Sequence, residues 1–290
     1  VDTELENKEI KWLAHYDINP STNGASKKVE IEMFEKKYGG TIKYYPTTWD
    51  NRYNDLSTYV LGGEGIDFFP SDANNLPKGI VKATGVSRTD QFYDKEFVES
   101  RKEKLYEIMP EAKDKKVILY APTFRGHTAN AVSPDFLDYR KAAEALSGDY
   151  ILLVKHHPHV KKPPVIPQEC RDFAFDVTKT LDIDTLLCVS DICVSDYSSL
   201  IFEFSLFERP MIFFAPDRND YIDWRGFFYD YSDFTPGDIA NTTEELIASV
   251  KKLEDGFDKA QVKAFKGKFM SACDGHSTER ILNCVMKEGI

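Results

Sequence analysis

The feature that most constrains this chain is a repeated pattern after about residue 115. Short, unbroken apolar runs end in polar residues and are separated by segments of helical spacing. The runs are "KKVILYAPTF" (Lys115 to Phe124), "DYILLVKHHP" (Asp149 to Pro158), "FAFDVT" (Phe173 to Thr178), "DICVSD" (Asp191 to Asp196) and "PMIFFAPD" (Pro210 to Asp217). A strand that is apolar on consecutive residues is buried on both faces, the mark of a parallel sheet. The intervening stretches "PDFLDYRKAAEAL" (Pro134 to Leu146), "DIDTLLCVS" (Asp182 to Ser190), Ser198 to Phe207 and "NTTEELIASVKKLED" (Asn241 to Asp255) predict helices, and two more follow to the end. The fold class is therefore α/β, a parallel sheet with helices on both faces. Ligands of such sheets bind beyond the carboxyl ends of the strands. Here those ends carry "APTFRG", "KHHPH", "SDYSS" and "APDRNDY", which the topology gathers at one edge.

The join "SDYSS" admits two readings. Asp and Ser are favoured helix caps, because their side-chain oxygens accept backbone N–H groups that the first turn leaves unpaired. The same N–H groups make a helix start attractive to phosphate. Glu203 lies one turn after Ser199 and shares its helix face. Lys155 and the His156, His157 and His159 group read either as phosphate ligands or as a solvated basic loop. No acidic partner lies close in sequence, so no metal is expected there. The net charge of −11 argues against a general nucleic-acid partner. Five scattered cysteines without a CxxC pair argue against zinc or a disulfide framework and for a reducing cytoplasm. No run of about 18 apolar residues exists to span a membrane, and the charged N-terminus lacks the apolar core of a signal peptide. No cofactor is expected.

The first 82 residues form a separate, smaller α/β region. "KEIKWLAHYDINP", "TIKYYPTTW" and "GIDFFPSD" predict strands; "SKKVEIEMFEKKYG" and "DNRYNDLSTYVLGG" predict helices. Three strands and two helices cannot cover a large sheet, so this region reads as incomplete. Ser71 to Asp90 reads as a linker or site loop. The expected division is 1–82 and 83–290.

From about Gly85 the chain resembles the nucleotide-binding half of the CDP-glycerol glycerophosphotransferases, the teichoic-acid primases and polymerases. The motifs fall in order: "GVSRTDQFYD", "VILYAPTFR", "LLVKHHPH", "VSDYSSLIFEFSLFERPMIFFAPD", "RGFFYDY", "PGDI" and "DGHSTERI". The resemblance implies a GT-B-like architecture, with residues 83–290 as its C-terminal Rossmann-type lobe, and a donor that is CDP-glycerol or a similar CDP-polyol. The acceptor it implies is a lipid-linked polymer whose terminal hydroxyl attacks the β-phosphorus, so that CMP leaves. It also implies a cytoplasmic protein, peripheral at the inner face of the membrane. Carried over by position, Arg88, Pro122, Thr123, Lys155, His157, Ser198, Ser199 and Glu203 match donor-binding residues. The family commonly has Asp where this chain has Glu203. His157 would donate to the phosphate or protonate the departing CMP. The family's His-Gly-Thr-Pro motif, whose His serves as base, is not found in this sequence. His15 is the only histidine before residue 83 and the candidate in its place, so impaired transfer is expected. Residues 1–82 resemble the opening of an extracellular solute-binding protein of a sugar ABC transporter, on "KWLAHYDINP", "FEKKYGGTIKYYPTTWDNRYNDLSTYV" and "GIDFFPSDANNLPKGIVK". That would make the chain a composite; the other reading is a divergent acceptor lobe. The alternative functions are a solute-binding protein and a non-catalytic CDP-binding lobe.

Overall fold

The computed structural model describes residues 9–14, 32, 35–36, 39–69, 82–126, 130–225 and 229–286. The chain forms two compact units, Val1–Ser87 with His276–Ile290, and Arg88–Gly275, a cut between Ser87 and Arg88 rather than after Lys82. In the first unit, β1 (Glu9–Ala14) pairs in parallel with β2 (Thr41–Pro46), from Glu9 opposite Thr41 to Ala14 opposite Pro46. Of the strand expected at "GIDFFPSD", the described residues show a bridge from Trp12 to Phe68. Helix α1 (Arg52–Leu61) occupies the expected place. The helix expected at "SKKVEIEMFEKKYG" lies mostly outside the described residues, with Glu32, Glu35 and Lys36 helical. Lys11 pairs with Glu64 at 2.9 Å, and the Tyr45 hydroxyl donates to the same carboxylate at 2.9 Å.

The second unit opens with α2 (Lys95–Ile108), whose cap Asp94 accepts from the N–H groups of Glu96 and Phe97. Its sheet contains β3 (Lys116–Ala121), β4 (Tyr150–Val154), β5 (Ala174–Asp176), β6 (Ile192–Ser195), β7 (Met211–Phe214) and β8 (Asp238–Ala240). All pairings are parallel, in the order β5-β4-β3-β6-β7-β8. The order reverses between β3 and β6, which makes the crevice beyond those two strands the topological switch point. The apolar runs are explained by two cores. Val117, Leu119 and Ala121 pack with Leu186, Phe204 and Val262 on one face. Ile118 and Tyr120 pack with Leu137, Leu146 and Leu246 on the other.

Helices α3 (Tyr139–Leu146), α4 (Ile183–Val189), α5 (Leu200–Phe204), α6 (Arg218–Arg225), α7 (Tyr231–Phe234), α8 (Thr243–Lys252) and α9 (Ala260–Phe269) surround the sheet. Helix α3 starts later than expected from Pro134 because Asp138 caps it, accepting from the N–H groups of Arg140 and Lys141. Asp182 caps α4 as expected, through the Thr185 N–H at 2.7 Å. The edge strand β8 has no counterpart among the expected strands. The Gly237 that precedes it is required sterically, since a Cβ there would lie 2.0 Å from the Met211 carbonyl oxygen. Among the described residues no helix is long and apolar enough to cross a membrane.

Candidate functional site

The loops that leave β3, β6 and β7 are joined by a buried polar network. Asp196, 2% exposed, follows β6. Its Oδ1 accepts from the N–H groups of Thr123 at 2.8 Å and Tyr197 at 2.7 Å. Its Oδ2 accepts from Arg125 Nη2 at 2.9 Å. Arg125 also reaches both oxygens of Asp217 beyond β7, at 2.6 and 2.9 Å, and donates to the Thr123 carbonyl. The Tyr197 hydroxyl donates to Asp217 at 3.1 Å, and the Tyr231 hydroxyl to the Asp196 carbonyl at 2.9 Å. The Tyr197 and Tyr221 rings stack with centroids 3.7 Å apart. Burial pushes the Asp196 carboxyl up, and Arg125 opposes this without cancelling it. Burial also pushes at Asp217, but there Arg125 prevails and leaves the carboxyl below its ordinary range.

The loop after β4 is built differently. The His157 ring lies 4.7 Å from Phe124 and 4.6 Å from His159. The His159 N–H donates to His157 Nδ1 at 3.2 Å, so the neutral ring carries its proton on Nε2. Burial, and then His159, lower the His157 pKa. Its chemistry near neutrality is therefore that of a neutral N–H donor. Lys155 turns its ammonium to the backbone, donating to the carbonyls of Thr178 at 2.9 Å and Leu181 at 2.6 Å. Burial lowers its pKa. An ammonium has three donors, so one remains after these two bonds. His156 is buried, with Nδ1 2.8 Å from Ser133 Oγ and with Nε2 lacking a hydrogen-bond partner.

Ser198 Oγ accepts from the Leu200 N–H at 3.2 Å, so it takes up an N–H group at the start of α5. Asp196, although part of the same stretch, does not; its oxygens serve the network. Ser199 is exposed. Helix α5 has five residues and passes into a 3-10 turn at Ser205–Phe207. So short a helix accumulates little dipole, and an anion here would depend on hydroxyls and individual N–H groups. Glu203 is held by Arg88 at 2.8 Å, and Arg88 also lies 3.1 Å from Asp184. Burial raises the Glu203 pKa against the pull of Arg88. Buried Pro122 carries β3 into the Thr123 loop.

The structure thus sets Pro122, Thr123, His157, Ser198 and Ser199 on the carboxyl edge of one sheet. It pairs Arg88 with Glu203 and turns Lys155 to backbone carbonyls. His15 lies outside the described residues. Sequence reasoning missed Arg125, Asp196, Asp217 and Tyr231 as individuals, although each falls inside a quoted motif. Among the described residues, no group of three or more His, Cys, Asp or Glu side chains is placed to hold a metal ion.

Residues 66–287 match the family described as CDP-glycerol:poly(glycerophosphate) glycerophosphotransferase. The teichoic acid poly(ribitol-phosphate) polymerase of Bacillus spizizenii is 37% identical over 243 residues, 83% of this chain and 39% of that protein. The teichoic acid ribitol-phosphate primase of the same species is 31% identical over 266 residues, 90% of this chain and 67% of the primase. This chain therefore spans well under half the length of the polymerase. The primase alignment is longer than the whole stretch 83–290, so the likeness reaches into the first 82 residues. A solved structure of a variant of the wall teichoic acid polymerase TagF superposes with a TM-score of 0.68 at 20% identity, covering 98% of this chain and 90% of that one. The fold is the α/β, GT-B-like one expected from the sequence.

Proposed function

Because the chain belongs to the CDP-glycerol:poly(glycerophosphate) glycerophosphotransferase family, we propose that it binds a CDP-activated polyol, glycerol or ribitol, and transfers the polyol phosphate to a teichoic-acid-type acceptor. The unit Arg88–Gly275 is the donor-binding part. The observation that carries this reading is the convergence of loops at the switch point: Thr123 hydrogen-bonded to Asp196, and Phe124 against His157. A diphosphate needs N–H and hydroxyl donors together with cations. Ser198, Ser199, the third N–H of Lys155 and the Nε2–H of His157 supply donors at that edge. The acceptor hydroxyl forms a bond to the β-phosphorus as the bond to CMP breaks. Its proton passes to a base, for which His15 remains a candidate, and the charge that develops on CMP is met by these preorganised donors. Glu203, which pairs with Arg88, is suited to accept from sugar or polyol hydroxyls.

The solute-binding alternative is not favoured, because the relatives' likeness runs through both sides of residue 82. A lipid-linked acceptor would place the protein peripherally at the inner face of the membrane. The test is CMP release from CDP-glycerol and CDP-ribitol, with and without a lipid-linked acceptor, beside calorimetric titration of each donor. Binding in the micromolar to millimolar range is expected, roughly −4 to −8 kcal/mol. The double variant Ser198→Ala/Ser199→Ala should weaken it while the protein stays folded. No binding of either donor by the intact chain would refute the proposal.

A further inference from the structure

We infer that Asp196 is a positioning residue of the donor site: it fixes the Thr123 loop and the Tyr197–Ser198 turn against each other without touching the donor. The inference rests on the donor-site reading above. The two loops leave neighbouring strands on either side of the switch point, and nothing in a parallel ladder sets their spacing once the strands end. At the strand ends the Ser195 hydroxyl donates to the Ala121 carbonyl at 2.7 Å, and beyond them a single carboxylate oxygen bridges the two loops. Asp196 Oδ1 accepts from an N–H of each loop, at 2.8 and 2.7 Å. The carboxylate is oriented in turn. Arg125 holds Oδ2 while anchored on Asp217, and the Tyr231 hydroxyl holds the Asp196 carbonyl. Every acceptor of the residue is therefore engaged, and at 2% exposure neither a hydroxyl of an acceptor nor a phosphate can reach it.

A buried carboxylate is costly, and an apolar residue of similar size would avoid that cost. It would, however, leave the Thr123 and Tyr197 N–H groups without their acceptor. The charge is tolerated for the geometry it imposes. Asp196 is thus neither the helix cap that its sequence position suggests nor a general base.

The test uses the full chain with Asp196→Asn, Asp196→Ala and Tyr231→Phe, and reads CMP affinity by calorimetry, melting temperature, and backbone hydrogen exchange at residues 123 and 197–199. Asn keeps an oxygen that accepts both N–H groups but loses the charge that Arg125 pairs with; Ala loses both. Both variants should melt earlier than the parent. The Ala variant should bind CMP about tenfold or more weakly and exchange faster at the two loops, while Asn stays within about threefold and remains protected. Tyr231→Phe, which conserves shape and should fold, is expected to weaken CMP binding about twofold to threefold. Equal losses of affinity in Asn and Ala, or unchanged exchange at both loops in every folded variant, would overturn the inference. A parent chain that fails to bind CMP would refute the donor reading instead, and the exchange measurement would still decide whether Asp196 fixes the loops.

Discussion

Two arginines of the second unit each meet two carboxylates, and they do so in opposite surroundings. Arg125 is 17% exposed and its partners Asp196 and Asp217 are 2% and 15% exposed. Arg88 is 42% exposed and its partners Glu203 and Asp184 are 21% and 27% exposed. Both clusters carry the same formal charge. Around Arg125 the remaining lone pairs are taken by tyrosine hydroxyls and backbone N–H groups, so the cluster is closed and acts as a strut between three loops. Around Arg88 the cluster is more open on the arginine side, although the Asp184 oxygen that faces the guanidinium is buried and Asp184 Oδ2 accepts from Gln91 at 3.1 Å. Burial, not the identity of the ion pair, separates the two clusters.

The largest expected effect follows from the closed cluster. Arg125→Met should cost about 3–5 kcal/mol, because it leaves Asp196 buried and Asp217 half-buried without their counter-charge. For a unit of this size that corresponds to a fall in melting temperature of roughly 6–20 °C. Thermal unfolding of the variant beside the parent measures it. A loss below about 1 kcal/mol would erase the distinction between the two arginines.

The sheet was legible because its strands are buried on both faces: "VILY", "YILLV" and "MIFF" admit no other pattern. Strand β8 was not, since Asp238–Ala240 is only three residues and depends on Gly237 passing close to the Met211 carbonyl. The carboxyl edge was legible as a set of polar endings. The roles within it were not. Arg125 meets Asp196 and Asp217 across separations of 71 and 92 residues, and no local spacing announces such a contact. Lys155 shows the converse difficulty. A lysine at a strand end looks like a phosphate ligand, but two of its three ammonium donors go to the carbonyls of Thr178 and Leu181, and the local sequence does not announce where those residues run. The available signal was chemical: an arginine in a loop following a fully buried strand needs carboxylates, and "SDYSS" and "APDRND" supply them.

The adjacent histidines repeat the comparison at a smaller scale. His156 is 1% exposed, and burial holds its pKa below the ordinary 6.5. The unfolded chain takes up a proton as the pH falls through about 6.5, whereas the folded chain does so only at lower pH. Stability is therefore unaffected above that point and declines as the pH falls below it. Melting temperatures recorded between about pH 5 and about pH 7.5 should show this decline, and His156→Gln should flatten it. An unchanged slope in the variant would assign the pH dependence to other groups.

The smallest effect on stability is expected at Arg88, and it separates the two arginines most sharply. Exposed ion pairs contribute about 0–1 kcal/mol, so Arg88→Met should melt within a few degrees of the parent. Raising the salt should shift the parent toward the variant, since screening at about 1 M salt acts within about 3 Å. Donor binding should respond the other way. If Arg88 exchanges Glu203 for a phosphate oxygen, its loss removes a charge-assisted contact from the bound state, and CDP-glycerol affinity should fall by about tenfold despite the unchanged stability. Calorimetry on the folded variant decides the point. Unchanged affinity would make Arg88 a surface ion-pair residue and confine the donor site to the β3, β4 and β6 loops. A large loss of stability would show that the Arg88 cluster, like that of Arg125, is a closed structural element.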